Sequence, residues 1–254
     1  KTVRMWHTQT GNCVHVFEGH GAAVRAIDVS GDGQRLASAS EDKTVRVWDF
    51  EARECIIVLQ GHTHWVGAVA INETGSRILS GGYDHTLRLW RVDSGECARV
   101  LTGHEAPIEC VAWSANERIA VSGDESGILK TWQVDTGECL RSTQAHEGAI
   151  TSLALTADGR HALTGGRDGC VRLWIVETGQ CLCTFEGHKG AVQGVALTPE
   201  GRLALSGGRD REVRVWRTDC QAPPLLASPM VCRGVGGEAA STAGAAFAEA
   251  LDKA

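Results

Sequence analysis

Gly61-His62-Thr63-His64-Trp65-Val66-Gly67-Ala68-Val69-Ala70-Ile71, then Asn72-Glu73-Thr74-Gly75-Ser76, then Arg77-Ile78-Leu79-Ser80-Gly81-Gly82-Tyr83-Asp84-His85-Thr86-Leu87-Arg88-Leu89-Trp90 is the stretch whose reading decides the fold. Shifted by 42 residues in either direction, its pattern returns. Tryptophans stand at Trp6, Trp48, Trp90, Trp132, Trp174 and Trp216, and histidines at His20, His62, His104, His146 and His188, every gap being 42. Self-similarity at a fixed period of this length marks a repeat architecture and outranks any local reading.

Each repeat reads as three short apolar-rich strands, with a fourth in the link to the next repeat. In the first complete copy these are Val24–Val29, Arg35–Ser40, Thr44–Asp49 and Cys55–Leu59. Gly- and Asp-containing turns separate them, such as Ser30-Gly31-Asp32-Gly33 and Thr156-Ala157-Asp158-Gly159, because those residues tolerate tight and left-handed conformations. Four antiparallel strands per repeat, stacked radially, make the blades of a propeller. The expected fold class is therefore all-β, a β-propeller of four-stranded antiparallel blades. Five full 42-residue repeats and one partial repeat occupy residues 1–217, the first copy starting in mid-blade. Residues 218–236 hold three of the five prolines and read as a linker, and 237–254 read as the start of a helix cut off at the last residue. Both ends look like cut points in a longer protein, and a segment cut there is expected to expose open strand edges that recruit other chains.

The formal net charge is −6, from 25 basic and 31 acidic residues, which argues against a duplex nucleic-acid partner and its need for a basic face. No run approaches the roughly 20 apolar residues of a membrane span, and Lys1–Trp6 already reads as a strand of the repeat, so no membrane contact and a cytoplasmic location are expected. Five of the ten cysteines, Cys13, Cys55, Cys97, Cys139 and Cys181, share one repeat position. Equivalent places in successive blades lie beyond the roughly 4.4–6.8 Å Cα separation of a disulfide, so the cysteines are expected to be reduced, as small buried apolar residues. Cys181 and Cys183 lack a second His or Cys pair at zinc spacing, and neither a metal nor a cofactor is expected.

A Ser-His-Asp set occurs within one repeat as His20, Ser38 and Asp42, and recurs as His62/Ser80/Asp84, His146/Thr164/Asp168 and His188/Ser206/Asp210. A hydrolase needs one such set; four at a fixed period point to scaffolding. No Gly-rich phosphate loop, paired-His metal motif or nucleophile elbow is present.

The Gly-His near the start of the repeats (replaced by Ala145-His146 in the fourth complete copy), the Trp near their ends, and the dipeptide Trp48-Asp49 resemble the WD-repeat family of β-propellers. The resemblance implies that Asp, His, Ser or Thr and Trp form a buried hydrogen-bond network in each repeat. The residues concerned are His20, Ser38, Asp42 and Trp48; His62, Ser80, Asp84 and Trp90; His104, Ser122 and Trp132; His146, Thr164, Asp168 and Trp174; and His188, Ser206, Asp210 and Trp216. The third complete repeat departs from the pattern: Ser126 holds the Asp position and Asp124 lies two residues earlier, so that blade is expected to be the least tightly held. The resemblance also implies a partner-binding face built from the residues that flank the leading residue of each first strand and from the residue before the turn Asp. Candidates there are Arg25, Glu41, Trp65, Tyr83, Glu109, Glu125, Arg167 and Arg209. The expected role is a non-catalytic scaffold for a protein or peptide partner, as the docking or sensor module of a larger protein. The alternatives are a propeller enzyme or an anionic-ligand platform using the central channel.

Overall fold

The computed structural model describes residues 1–198 and 200–219, and among them every regular element is a β-strand. The expected linker from residue 220 onward and the expected helix over 237–254 lie outside the described residues. The chain opens with β1 (Val3–Trp6) and β2 (Cys13–Phe17), and then runs through the complete repeats. The first holds β3 (Val24–Val29), β4 (Arg35–Ser40), β5 (Thr44–Asp49) and β6 (Glu54–Gln60). The second holds β7 (Val66–Ile71), β8 (Arg77–Gly82), β9 (Leu87–Arg91) and β10 (Cys97–Leu101). The third holds β11 (Ile108–Trp113), β12 (Ile119–Asp124), β13 (Ile128–Gln133) and β14 (Glu138–Gln144). The fourth holds β15 (Ile150–Leu155), β16 (His161–Gly166), β17 (Val171–Ile175) and β18 (Gln180–Phe185). The fifth contributes β19 (Val192–Leu197), β20 (Leu203–Gly208) and β21 (Val213–Arg217). In the first complete repeat only β6 differs from the expected bounds, by one residue at each end.

The chain divides into two bodies: Lys1–Val111 with Asp135–Glu138, and Ala112–Val134 with the described chain from Cys139 onward. The first body contains the β1–β2 pair and two four-stranded antiparallel sheets, β3–β6 and β7–β10, each in sequence order. There β7 packs against β3, β4 and β5 of the preceding repeat. Val47, Leu59, Val66, Ile78 and Trp90 share the resulting core. Lying against a neighbouring sheet as well as within its own, β7 is buried at all six positions. That explains why Val66–Ile71 shows no polar face: a strand covered on both sides reads as a continuous apolar run. In the second body, β15–β18 form a four-stranded sheet, β19–β21 a three-stranded one, and β12 pairs with β13. Leu163, Val171, Val192 and Trp216 form its core cluster, with β19 packed on β15 and β16. The four-stranded antiparallel sheets, repeated at one period, agree with a WD-type propeller blade.

The turn between the first and second strands needs one left-handed residue. Gly33, Gly75, Gly159 and Gly201 supply it with φ between 67° and 71°, and Glu117 takes the same place in the third repeat at φ 58°. A residue with a Cβ is strained there.

Cys13, Cys55, Cys97, Cys110, Cys139, Cys170 and Cys181 are free thiols, but the expected burial fails at the repeated position, where Cys13 and Cys139 are exposed and Cys55, Cys97 and Cys181 half-buried, and Cys183 is disulfide-bonded. Cys183 does not occupy the repeated cysteine position, so the separation of equivalent sites in successive blades does not constrain it.

Candidate functional site

The repeated polar set is assembled by the strand order within each repeat. In the second repeat the His precedes β7, the Ser sits mid-way along β8, the Trp is the penultimate residue of β9 and the Asp lies in the turn between β8 and β9. Trp90 Nε1 donates to Ser80 Oγ at 2.8 Å, Ser80 Oγ lies 2.8 Å from His62 Nε2, and His62 Nδ1 lies 2.9 Å from Asp84 Oδ2. The same chain of contacts links Trp48, Ser38, His20 and Asp42, with distances of 2.8, 2.8 and 2.7 Å. It links Trp216, Ser206, His188 and Asp210 at 2.8 Å throughout. In the fourth repeat, Trp174 donates to Thr164 Oγ1 at 2.9 Å, which lies 2.7 Å from His146 Nε2. An indole N–H only donates and a carboxylate only accepts. In the first, second and fifth repeats a hydroxyl that accepts from the indole and donates to the histidine leaves the ring neutral, with its proton on Nδ1 toward the carboxylate; in the fourth, Arg172 Nη1 also approaches His146 Nδ1 at 2.6 Å.

Titration behaviour agrees. Burial lowers the pKa of His20 and His146, against the pull of Asp42 and Asp168. Burial pushes the Asp42 carboxyl up, but hydrogen bonds from Thr44, His20 and the Gly21 backbone outweigh it and hold the group at about 2. Asp84 is held still lower, burial again being overcome by His62, Thr63 and Thr86. A nucleophile must be reachable and activated. Ser38 and Ser80 are wholly buried, and each hydroxyl is committed to a tryptophan and a histidine. The Ser-His-Asp sets are bonded as framework.

The basic residue two before each Trp finds different partners, and the residue two before it decides which. Thr44 and Thr86 donate Oγ1 to Asp42 and Asp84 at 2.6 and 2.8 Å. With those carboxylates satisfied, the guanidinium groups of Arg46 and Arg88 lie 6.0 Å over Trp48 and Trp90, each with a buried Nε that has no partner. Cys170 replaces the threonine in the fourth repeat, and Arg172 takes over, reaching Asp168 Oδ2 at 2.7 Å. Glu212 replaces it in the fifth, and Arg214 pairs with Glu212.

In the third repeat Trp132 donates to Ser122 Oγ at 2.8 Å, and His104 is buried. Asp124 stands where Gly82 stands in the second repeat, and a Cβ on Gly82 would lie 2.5 Å from both His62 Nδ1 and Asp84 Oδ1. Residue 124 thus starts its side chain at the place the other repeats give to the turn aspartate. The Asp124 carboxylate is only 1% exposed and accepts from Ser126 Oγ at 2.7 Å, Ser126 N at 3.0 Å and Ile128 N at 2.9 Å. The substituted blade keeps a buried, satisfied carboxylate.

Arg25 falls on a strand bulge, Glu41, Tyr83, Glu125, Arg167 and Arg209 in turns, Trp65 in the loop before β7 and Glu109 within β11. The β3–β4 ladder pairs Val24 with Ser40 and Ala26 with Ala39, passing over Arg25. The corresponding ladders pass over Gly67, Thr151 and Gln193. A bulge leaves one residue unpaired and re-aims its side chain.

In the first body this brings five candidates together. Arg25 Nη2 donates to Tyr83 Oη at 3.0 Å, Tyr83 Oη donates to Glu109 Oε1 at 2.6 Å, and Arg25 Nη1 lies 3.5 Å from Glu41 Oε1. Burial, then the bonded Glu109 carboxylate, push the Tyr83 phenol up to about 12, so it stays a donor. Gly67 makes the space: a Cβ there would lie 2.7 Å from Ile108 O and 3.0 Å from Tyr83 Cε1. Trp65 is 39% exposed, with its ring centroid 5.6 Å from that of Tyr83, and its carbonyl accepts the Tyr83 N–H at 2.7 Å. His64 completes the cluster, stacked on Tyr83 at 6.0 Å and 10°. The repeat pattern did not single out His64, although the equivalent places hold only Ala22, Ala106, Gly148 and Gly190, and that contrast was a usable signal.

In the second body, Glu125 and Arg167 are exposed and 3.9 Å apart, a surface pair of small energetic weight; Arg209 is exposed. Within each body acidic and basic candidates are neighbours: Arg25 stands by Glu41 and Tyr83-bound Glu109 in the first, and Arg167 beside Glu125 in the second.

Among the described residues, no group of three or more His, Cys, Asp or Glu side chains is arranged to hold a metal ion. A family model described as "WD domain, G-beta repeat" matches residues 11–49, 53–91, 95–133, 137–174 and 179–217. No curated protein matches the chain.

Proposed function

We propose, for a chain that belongs to the WD-repeat family, a non-catalytic docking role within a larger multidomain protein, with a protein or peptide partner seated on the Trp65–Tyr83 cluster. WD repeats generally serve as scaffolds for protein–protein contact. The observation that carries the finer reading is the state of Trp65. It lies off the framework tryptophan position, is 39% exposed, and rests beside a tyrosine anchored by Glu109 and Arg25. A large aromatic group held beside fixed polar neighbours is the usual make-up of an interface hot spot. Among the described residues seven cysteines are free thiols, which favours a reducing setting for this role, while the bonded Cys183 weighs the other way.

The test is quantitative capture of the native partner by wild type and by Trp65→Ala. A loss of more than about 2 kcal/mol in affinity is expected, in line with hot-spot truncations, with little change in melting temperature. An unaltered affinity, or a collapse in melting temperature, makes Trp65 a packing residue and removes the cluster as the docking site.

A further inference from the structure

We propose that Arg25 is an internal occupant of an arginine site, and that the partner of the docking face delivers an arginine side chain that displaces it. This rests on the docking role above and names what the cluster recognises.

Three features of the first body carry it. The acceptors are fixed. Tyr83 is held by its hydrogen bond to Glu109 at 2.6 Å, by its backbone bond to Trp65 O at 2.7 Å and by the stacked His64. The cation is the loose component. Arg25 lies on the bulge, outside the ladder, its side chain is 38% exposed, and its contact with Glu41 is long at 3.5 Å. It can leave without breaking a strand pair. Finally, the charges do not balance: Glu41 and Glu109 surround one guanidinium, so the site holds two carboxylates for one cation.

The chemistry of the resident side chain names the occupant. The Arg25 guanidinium lies 5.8 Å from the Tyr83 ring centroid and also donates to its hydroxyl oxygen at 3.0 Å. Its Nη2 donates to Tyr83 Oη while its Nη1 faces Glu41 at 3.5 Å, and serving two partners from one rigid planar fork beside an aromatic ring is a guanidinium property that an ammonium group does not share. Trp65, beside Tyr83, offers a second aromatic face to the incoming group. An arginine in an extended partner segment would stack there and turn its fork toward Glu109 and Glu41 as Arg25 swings out. A resident competitor reduces apparent affinity by the fraction of time the site is free; an Arg25 in place about nine-tenths of the time weakens binding about tenfold.

The experiment uses the full chain as wild type, Arg25→Gln, Arg25→Lys and the double variant Arg25→Gln/Glu109→Gln. The probes are the capped pentapeptide Gly-Gly-Arg-Gly-Gly and its lysine and citrulline counterparts, titrated while NMR follows the Trp65 indole N–H. The arginine peptide should bind Arg25→Gln about tenfold tighter than wild type, Arg25→Lys should show part of that gain because an ammonium holds the site less well than a guanidinium, and the double variant should lose the gain. The citrulline peptide, a neutral isostere, should bind every form at least about tenfold more weakly, since it lacks the charge-assisted contacts. Equal binding of arginine and citrulline peptides, or no gain in a folded Arg25→Gln, overturns the proposal. A lysine peptide as tight as the arginine one overturns the choice of guanidinium. If the peptide arms fail while Trp65→Ala still releases the native partner, the docking face stands and the arginine site falls. If the peptides bind as stated while Trp65→Ala keeps its partner, the docking face falls instead.

Discussion

Replacing Asp84 by alanine separates a structural reading of the polar sets from any other. The Asp84 carboxylate accepts from His62 Nδ1 at 2.9 Å, Thr63 N at 2.9 Å, Thr86 N at 3.1 Å and Thr86 Oγ1 at 2.8 Å. The threonine at 63 is exposed, so its N–H finds water once the carboxylate is gone. The His62 side chain is only 1% exposed, so its Nδ1–H is left buried without an acceptor. Stranding a buried donor costs about 1–3 kcal/mol, and hydrogen bonds to a charged group add about 1.5–3 kcal/mol before the regained carboxylate desolvation is subtracted. A net loss of about 3 kcal/mol follows. Ser126→Ala is the control. It removes one donor to Asp124, which keeps the backbone N–H groups of Ser126 and Ile128, so its cost stays at about 1 kcal/mol or less. Urea denaturation followed by tryptophan fluorescence, with equal m-values required of all three proteins, measures both. An Asp84→Ala loss no larger than that of Ser126→Ala would refute the assignment of the aspartate as the anchor of the buried histidine.

Gly33→Ala, whose added Cβ meets nothing within 4 Å at φ 68°, should destabilise the first repeat by about 1 kcal/mol through left-handed strain; unchanged stability in the same assay would contradict the strain. Acidification should destabilise the chain in two stages. The lowered pKa values of His20 and His146 give a contribution that is full above about pH 6.5 and is lost as pH falls through the folded values. Asp42 and Asp168, held at about 2, contribute fully above about pH 4 and lose that contribution as pH falls toward 2. Asp28 acts in the opposite sense. Its carboxylate accepts the Ile71 N–H at 2.9 Å, and burial lifts its carboxyl to about 6, so it gains stability on acidification through about pH 6 to 4. Asp28→Asn should steepen the loss over that interval by up to about 3 kcal/mol, measured as melting temperature against pH; a parallel profile would show that Asp28 titrates normally.

The period alone placed the strands, because a 42-residue repeat fixes every Trp, His and turn at once, and the packing of each copy follows from its neighbour. The polar sets were legible for the same reason. The partners of the repeated basic residue were not read, although the determinant was in plain view: Thr44, Thr86, Cys170 and Glu212 differ at the place that decides whether Arg46, Arg88, Arg172 and Arg214 serve an aromatic ring or a carboxylate. Asp124 was visible but reads in the sequence as a departure from the pattern, for a related reason. A side chain shifted two residues along the turn occupies the same space, which counting by period treats as a loss. The link between Arg25, Tyr83 and Glu109 spans 58 and 26 residues and joins three different repeats. Nothing in a one-repeat pattern relates those places; it takes the bulge at residue 25 and the gap at Gly67 to bring them into contact.

The bulge in β3, β7, β15 and β19 bears on how such a chain changes over generations. At residues 25 and 193 the ladder steps over the side chain, so a replacement there rewrites the surface while strand registry and buried polar sets are inherited intact. A lineage can therefore trade one ligand for another by single substitutions at these places, and a laboratory library restricted to them would sample new specificities against an unchanging background of folded protein.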